Sequence, residues 1–275
     1  MIRAALLFAI ALVVASGALA APNLRLEGPL VEGGLVQGRV SPGTRVSLDG
    51  RALRVAPDGL FVFGFGRDAP STAVLDMVAP DGDEEHRVLS IKRRTYRVQR
   101  IDGLPQRMVT PPPGQLERIK RENAEIAAAR ARDTDAEWFA AGFAWPVIGP
   151  ITGVYGSQRI LNGKPRRPHF GVDIAPGAGT PVHAPAPGIV ALAEPDLYYS
   201  GGTVIIDHGH GVSSLLMHMA SVDVIAGQRV KRGDRIGTVG ATGRASGPHV
   251  DWRINWFQER IDPQLVVGPM PNPNK

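Results

Sequence analysis

Two segments in the C-terminal half carry histidine and aspartate at spacings that suit metal chemistry. His169 and Asp173 are four residues apart, and His249 and Asp251 are two apart. If both segments are strands, each His–Asp pair lies on one face, because side chains alternate along a strand. A third histidine, His218, follows another apolar run. A buried cluster of this kind requires a cation, although a lone histidine on a solvated sheet face is the plainer alternative.

The elements that must position these residues are mostly strands. Apolar runs separated by Asp-Gly turns extend from residue 24 to about 100 and predict a small antiparallel β-sandwich. A proline-rich break at 110–114 precedes a predicted helix over 115–133, whose apolar residues form a thin stripe. From residue 138 the pattern returns to strands, with a hairpin turn at Asp207–Gly211.

The fold class predicted from these patterns is mostly β. It comprises a small N-terminal β-sandwich, a linker helix and a C-terminal domain. The predicted boundaries are a signal peptide over 1–20, a β-sandwich-like domain over 21–103, a proline-rich linker and helix over 104–137, a C-terminal domain over 138–263 and a disordered tail over 264–275.

The first 20 residues have the features of a secretory signal. Arg3 supplies the positive charge, Ala4–Ala15 is apolar, and Ala18–Ala20 is a small-x-small cleavage site. An uncleaved anchor is the alternative, but the apolar stretch is shorter than the ~20 residues that span a bilayer. The sequence therefore predicts a periplasmic or secreted protein.

Composition narrows the chemistry further. The chain has no cysteine, which excludes disulfides, thiolate metal ligands and cysteine nucleophiles. Its formal net charge is +5, and loss of Arg3 with the signal leaves +4. A mild positive charge outside the cytoplasm suits an anionic polymer such as cell wall or a membrane surface, although simple solubility is an equal alternative. Nucleic acid is not expected as a partner.

The C-terminal half resembles a known family, the lysostaphin-type zinc endopeptidases, also called the LytM or murein endopeptidase family. The resemblance covers roughly 143–263. It is carried by Trp145–Val147, Ile151–Gly156, His169–Ala175, Gly179–Val182, Val204–Gly209, His218–Met219, Gly240–Arg244 and Gly247–Asp251. It implies an antiparallel-sheet metallopeptidase domain with an open groove, a Zn²⁺ cofactor and peptidoglycan as the substrate.

The resemblance also implies roles for individual residues. His169 and Asp173 match two zinc ligands, while His218 and His249 match the histidines that assist catalysis. Asp251 stands where the family has the second histidine of a His-x-His pair, and it is assigned as the third metal ligand. A carboxylate can bind zinc. With one histidine and two carboxylates the site would be neutral, which predicts a higher pH optimum or looser metal binding.

Substrate contacts are predicted in the basic loop just before His169. Arg159, Asn162 and Arg166 are expected to bind carboxylates of a wall stem peptide, although an ordinary solvated loop is an equal alternative. The N-terminal domain is a candidate for contact with another cell-wall enzyme or envelope protein. Some members of the family have lost zinc ligands and activate wall amidases without catalysis, so a non-catalytic regulator is the alternative function. A lipoyl-like carrier is disfavoured, because no motif places a lysine at a hairpin tip.

Overall fold

The computed structural model describes residues 23–103 and 110–271, and it confirms a mostly β fold. Twenty strands are described. They are β1 Arg25–Glu27, β2 Leu35–Arg39, β3 Arg45–Leu48, β4 Arg51–Leu53, β5 Leu60–Gly64, β6 Thr72–Val78, β7 Glu84–Ser90, β8 Val98–Ile101, β9 Ile151–Gly153, β10 Gln158–Leu161, β11 Lys164–Pro165, β12 Val172–Ile174, β13 Pro181–His183, β14 Gly188–Leu197, β15 Gly201–Asp207, β16 Val212–Val222, β17 Arg229–Val230, β18 Arg235–Val239, β19 Val250–Trp256 and β20 Glu259–Ile261. Within the same described residues there are two α-helices, α1 Leu116–Arg130 and α2 Pro263–Val267.

The N-terminal part consists of two small sheets, ordered β1-β2-β5 and β4-β3-β6-β7. Alternation in β6 buries Ala73, Leu75 and Met77, as expected for a strand with one face in a core. By contrast, every residue of β5 is buried. Phe61 and Phe63 belong to the same apolar core as residues of the C-terminal sheet, so the two parts of the chain pack against each other.

A ten-stranded sheet forms the C-terminal part. Its main path runs β17-β14-β15-β16-β19-β12-β9, and β13, β18 and β20 pair off this path. β15 is buried throughout and β16 over most of its length, which explains their long apolar runs. Because β16, β19 and β12 are adjacent in this sheet, they bring the side chains that they present close together.

Contacts from the N-terminal part hold the end of β19. The Arg51 guanidinium lies 4.0 Å from the ring centroid of Phe257 and 4.6 Å from that of Trp256. Arg94 Nη2 donates a hydrogen bond of 2.7 Å to Oδ2 of the buried Asp262. The Arg51 contact reaches Trp256, the last residue of β19, and Phe257 and Asp262 follow it, so the strand that carries Asp251 is held at its C-terminal end.

The strand β8 is an exception to the predicted division of the chain. It falls within the segment predicted as a β-sandwich, but it pairs in parallel with β10 in a small sheet ordered β11-β10-β8. Arg67 and Tyr96 support this arrangement, since Arg67 Nε donates to the carbonyl of Gly156 at 2.7 Å and its guanidinium lies over the Tyr96 ring. Residues 98–101 therefore belong to the surroundings of the C-terminal site.

The helix predicted over 115–133 is present as α1, which begins after a 3₁₀ turn at Pro113–Gln115 and ends three residues early, at Arg130. Its Ile126 and Ala129 pack in a second apolar cluster with Leu197, Ile205 and Met217. The predicted linker helix is therefore docked on the C-terminal sheet.

The prediction of a disordered tail over 264–275 is wrong at its start. Pro263–Val267 form α2, and Asp262 Oδ1 accepts a 2.9 Å hydrogen bond from the backbone N–H of Gln264. An aspartate N-cap followed by proline at the first helical position favours a helix. Pro263 therefore begins a helix here instead of ending the ordered structure.

The predicted signal peptide, the linker residues 104–109 and the last four residues lie outside the described part of the chain. Among the helices of residues 23–103 and 110–271, none combines the length and apolar character needed to cross a membrane.

Candidate metal centre

The three residues predicted as metal ligands meet on neighbouring strands. Asp173 in β12 and Asp251 in β19 are directly opposite each other in the antiparallel pair. His169 precedes β12, and its Nε2 is 3.0 Å from Asp173 Oδ1 and 3.2 Å from Asp251 Oδ2. All three residues are buried, and one ligand atom from each lies within 4.8 Å of the others.

The cluster has the properties of a cation site. His169 Nε2 and Asp173 Oδ1 are buried without a hydrogen-bond partner of proper geometry. Opposed carboxylates repel across a sheet, and unsatisfied buried polar atoms are costly. A divalent cation relieves both penalties, and this nitrogen and oxygen donor set suits zinc. Burial opposes protonation of His169, but the two carboxylates outweigh it and raise its pKa, so a proton competes with the metal.

Two glycines allow the carboxylates to approach. A Cβ on Gly153 would lie 2.1 Å from Asp173 Oδ2, and one on Gly171 would lie 2.5 Å from Asp251 Oδ1. Both distances are far inside van der Waals contact, so a side chain at either position would displace a carboxylate. Glycine is therefore required beside each acidic residue by space rather than by backbone conformation.

Each carboxylate also has an arginine partner. Arg159 Nη2 donates to Asp173 Oδ2 at 2.8 Å, and Arg253 donates to both oxygens of Asp251, at 3.0 and 2.6 Å. Burial opposes ionisation of Asp251, but Arg253 and His169 outweigh it and hold its pKa well below the usual range.

These arginines change the charge argument made from the sequence. Arg159 and Arg253 offset the charges of the two carboxylates, so the expectation of a neutral, weakly acidifying zinc site loses its basis. Arg253 was not selected from the sequence, although alternation along β19 places it on the same face as Asp251. That alternation was the signal available to find it.

Replacing Asp251 with histidine alone is expected to weaken zinc binding. The new imidazole would face Arg253, which has only donors, whereas a metal-bound histidine needs an acceptor for its second nitrogen. Asp251→His combined with Arg253→Glu is expected to recover about 10–100-fold in zinc affinity over the single variant. Competition titration with a chelating dye measures both values, and equal affinities would show that the residue at 253 does not orient the ligand.

The two histidines predicted to assist catalysis stand beside the metal cluster. The rings of His218 and His249 are 4.8 Å apart, and His249 Nε2 is 3.9 Å from Asp173 Oδ1. His218 Nδ1 donates to the carbonyl of Thr242 at 2.9 Å, and His249 Nδ1 donates to that of Gly247 at 2.8 Å. Since a carbonyl only accepts, each ring has a proton on Nδ1, and these contacts do not use its Nε2.

The backbone of His218 is in an uncommon conformation. Its φ of 66° is left-handed, and it adjoins register irregularities where β16 pairs with β15 and β18. Its backbone N–H donates to the carbonyl of Ser200 at 2.8 Å, which holds this conformation. Burial lowers the pKa of His218 to about 4, so the ring is neutral at neutral pH. Strained residues often occur at functional sites, and here the strain places a neutral imidazole beside Asp173.

Two cavities adjoin the cluster. The smaller, about 120 Å³, is lined by Asp173, His218 and His249 together with Gln99 and Ile101 around β8. The larger, about 950 Å³, extends along Asp251 towards α1.

Of the residues predicted to contact substrate, Arg159 lines both cavities and Arg166 lines the larger. Asn162 is not among the described residues that line either cavity. It lies in the turn between β10 and β11 with a φ of 46°, a conformation that asparagine tolerates better than most residues. The structure therefore offers a conformational reason for this asparagine, while its role in substrate binding stays a prediction.

Comparison with curated proteins gives partial matches. The chain is 33% identical over 168 residues to the cell division protein DipM of Caulobacter vibrioides, covering 58% of this chain and 26% of that protein. It is 39% identical over 87 residues to the peptidoglycan DD-endopeptidase ShyA of Vibrio cholerae, covering 32% of this chain and 20% of that protein. The chain thus spans at most about a quarter of the length of these relatives.

Comparison with solved structures gives a match over most of the chain. A crystal structure from Pseudomonas aeruginosa, named for peptidase M23, has a TM-score of 0.68 and 32% identity, and the match covers 86% of this chain and 95% of that one. The model of peptidase family M23 itself matches residues 167–263, which include all five predicted metal and catalytic residues. The resemblance seen in the sequence is confirmed, and the chain belongs to peptidase family M23.

Proposed function

We propose that the chain is an exported, zinc-dependent endopeptidase that hydrolyses the peptide part of peptidoglycan. The observation that carries this proposal is the buried pair of opposed carboxylates with an imidazole between them, whose free lone pairs require a cation. Family membership supports peptidase chemistry. The substrate is inferred from relatives such as ShyA, which is named as a peptidoglycan DD-endopeptidase.

His169, Asp173 and Asp251 would hold the zinc. When bound, zinc polarises the scissile carbonyl and acidifies a water molecule. Arg159 orients Asp173 through its hydrogen bond, as partners of metal ligands commonly do.

The two histidines supply proton transfer and orient the attacking water. His218 is neutral, its Nδ1–H is fixed on Thr242, and its Nε2 is available to accept a proton beside the smaller cavity. His249 has the same arrangement through Gly247. One ring can thus act as general base, taking the proton of the attacking water and returning it to the leaving amine, while the other ring would orient the water through its Nε2 lone pair.

Replacing His218 or His249 with alanine is expected to lower the rate of hydrolysis by about 10²–10⁴-fold while leaving zinc bound. The reason is that neither ring is among the three clustered ligands, so only proton transfer is lost. Turnover of a cross-linked muropeptide and zinc content of the same preparations measure the two effects. If either alanine variant loses its zinc, that histidine is a ligand and the assignment is wrong.

The activity itself is tested with purified sacculi. The chain with its bound metal should lower sacculus turbidity and release peptides with new termini, and mass spectrometry of those peptides identifies the bond. Removal of metal should stop the release, and added Zn²⁺ should restore it. Release that persists without metal would overturn the zinc-dependent mechanism.

A second candidate is a non-catalytic regulator of cell-wall enzymes. The specific observation in its favour is the two-point hydrogen bond from Arg253 to Asp251, which competes with a metal for the same oxygens. Such a protein would contain little zinc, release no peptides and change the activity of a wall amidase added to the assay. The same sacculus assay therefore separates the two candidates.

The proposal also includes export of the chain and a separate binding role for its N-terminal part. A protein that acts on peptidoglycan must leave the cytoplasm, and the segment 1–20 supplies a candidate signal peptide. N-terminal sequencing of the mature protein should begin at Ala21. The N-terminal β-sandwich is proposed to contact another cell-wall enzyme or envelope protein, and crosslinking in intact cells tests that partner.

A further inference from the structure

The larger cavity beside the metal cluster is strongly basic. Seven of its described lining residues are arginines, and the single lining carboxylate is Asp251, which already pairs with Arg253. A concave surface of one charge concentrates ligands of the opposite charge. Because these arginines come from α1, the β10–β12 region, the loop between β18 and β19, β19 and β20, their convergence is a property of the folded chain and was not apparent from the sequence.

Arg130 is the clearest sign that something binds here. It is the last residue of α1 and is only 7% exposed. Its Nη2 donates to Gln258 Oε1 at 2.9 Å, but its Nε and Nη1 are buried without a partner among the described residues. The C-terminus of a helix favours a positive charge but does not satisfy these two donors. Buried charged donors without acceptors are costly, so an anion at this position would relieve a real penalty.

The positive charges of several of these guanidinium groups act on one another. Burial, with a further contribution from Arg253, lowers the pKa of Arg130 to about 10. Burial also lowers the pKa of Arg244, and Arg159, Arg253 and Arg166 act in the same direction.

Fixed contacts keep two of these guanidinium groups in place. Arg244 stacks on the ring of Tyr199 at 4.5 Å, and Arg253 is fixed by Asp251. The positive groups are therefore preorganised, so that little side-chain freedom is lost when a ligand binds.

We propose that Arg130, Arg244 and Arg253 form a binding site for a multiply charged oxyanion, and that this anion is the carboxylate-bearing part of the substrate peptide. A guanidinium matches a carboxylate with two parallel hydrogen bonds. Positive groups spread along a cavity of about 950 Å³ suit several separated carboxylates better than one compact phosphate. The identification of the anion as substrate depends on the proposed function, whereas anion binding does not require hydrolysis.

The test measures binding to the purified chain by titration calorimetry at constant ionic strength. The probes are a synthetic wall tetrapeptide with free carboxylates, its fully amidated form and inorganic phosphate. The free-acid peptide should bind and the amidated peptide should not. Phosphate binding as tight as the peptide would keep the anion site but overturn its assignment to substrate. If no probe binds at millimolar concentration, the site does not exist.

Arg130→Gln is expected to weaken binding of the free-acid peptide about 10–100-fold, because a charge-assisted hydrogen bond is lost. Arg121→Gln is the matched control, since Arg121 is exposed on the same helix and should leave binding unchanged. Without any anion, Arg130→Gln should have a higher melting temperature than the unmodified chain, because a buried unsatisfied charge has been removed.

A lower melting temperature together with unchanged peptide affinity would show that Arg130 is only structural. If Arg130→Gln does not fold, Arg130→Lys keeps the charge and should show an intermediate loss of affinity. Intact peptide binding without sacculus cleavage would refute the proposed hydrolysis and leave the anion site standing. Sacculus cleavage without binding that depends on the peptide carboxylates would support the proposed hydrolysis and refute the anion site.

Discussion

Replacing Asp173 with asparagine is expected to lower zinc affinity by more than about 100-fold and to abolish sacculus hydrolysis. Changes to residues that only support a metal ligand cost about 10–100-fold, so loss of a ligand charge should cost more. The substitution keeps the shape of the side chain, and Arg159 can still donate to the remaining amide oxygen. Zinc content, a competition titration and peptide release measure the effect.

The matched control for that experiment is Asp223→Asn. Asp223 also pairs with an arginine, Arg235, at 3.0 Å, but lies outside the metal cluster. It should retain zinc affinity and activity, and circular dichroism should show both variants folded. An Asp173→Asn protein that binds zinc as tightly as the unmodified chain would remove this residue from the ligand set.

Replacing Arg253 with methionine is expected to destabilise the zinc-free protein by about 3 kcal/mol. The side chain of Asp251 is 1% exposed, so loss of its two-point partner leaves a buried charge uncompensated. Zinc should reverse much of the loss, because a metal bound to the folded state supplies the missing positive charge. Urea unfolding with and without excess zinc measures both free energies.

Arg235→Met provides the comparison for an exposed pair. The side chain of Arg235 is 56% exposed, and exposed ion pairs contribute about 0–1 kcal/mol, so its loss should be small in both conditions. If Arg253→Met is equally destabilised with and without zinc, Asp251 is not a metal ligand. That result would favour the regulator over the enzyme.

The general character of the fold could be predicted from local signals in the sequence. The alternation around Asp251 predicted its strand, and β19 extends over Val250–Trp256. Strand pairing could not be derived in the same way, because partners distant in sequence are chosen by packing. The pairing of β8 with β10 is an example, since nothing within Val98–Ile101 names its partner.

Part of the candidate site could also be predicted from local signals in the sequence. Its histidines and aspartates stand in short motifs, and the resemblance to the family implied which of them bind metal and which assist catalysis. The strand proposed around His169 is shorter than expected, beginning only at Val172, yet His169 still meets Asp173. Arg130 could not be predicted as part of the site, because its position there depends on how α1 docks on the sheet.

The side chains that hydrogen-bond to the metal ligands were the part of the site least predictable from the sequence. The charge at the metal site depends on the arginines bonded to the two carboxylates as well as on the ligands themselves. Arg253 stood two residues from Asp251 and could have been included by alternation. Arg159 was selected as a residue for substrate, whereas the structure also bonds it to Asp173.

The placement of β8 has a consequence for work with fragments. Gln99 and Ile101 help to enclose the smaller cavity, so one wall of this cavity comes from a region far upstream of the segment 167–263 that matches the family. An excised C-terminal piece beginning at residue 138 would have that side open. If the chain hydrolyses peptides as proposed, the piece would accept a broader range of substrates than the intact polypeptide, and selectivity measured on the piece would misrepresent the whole.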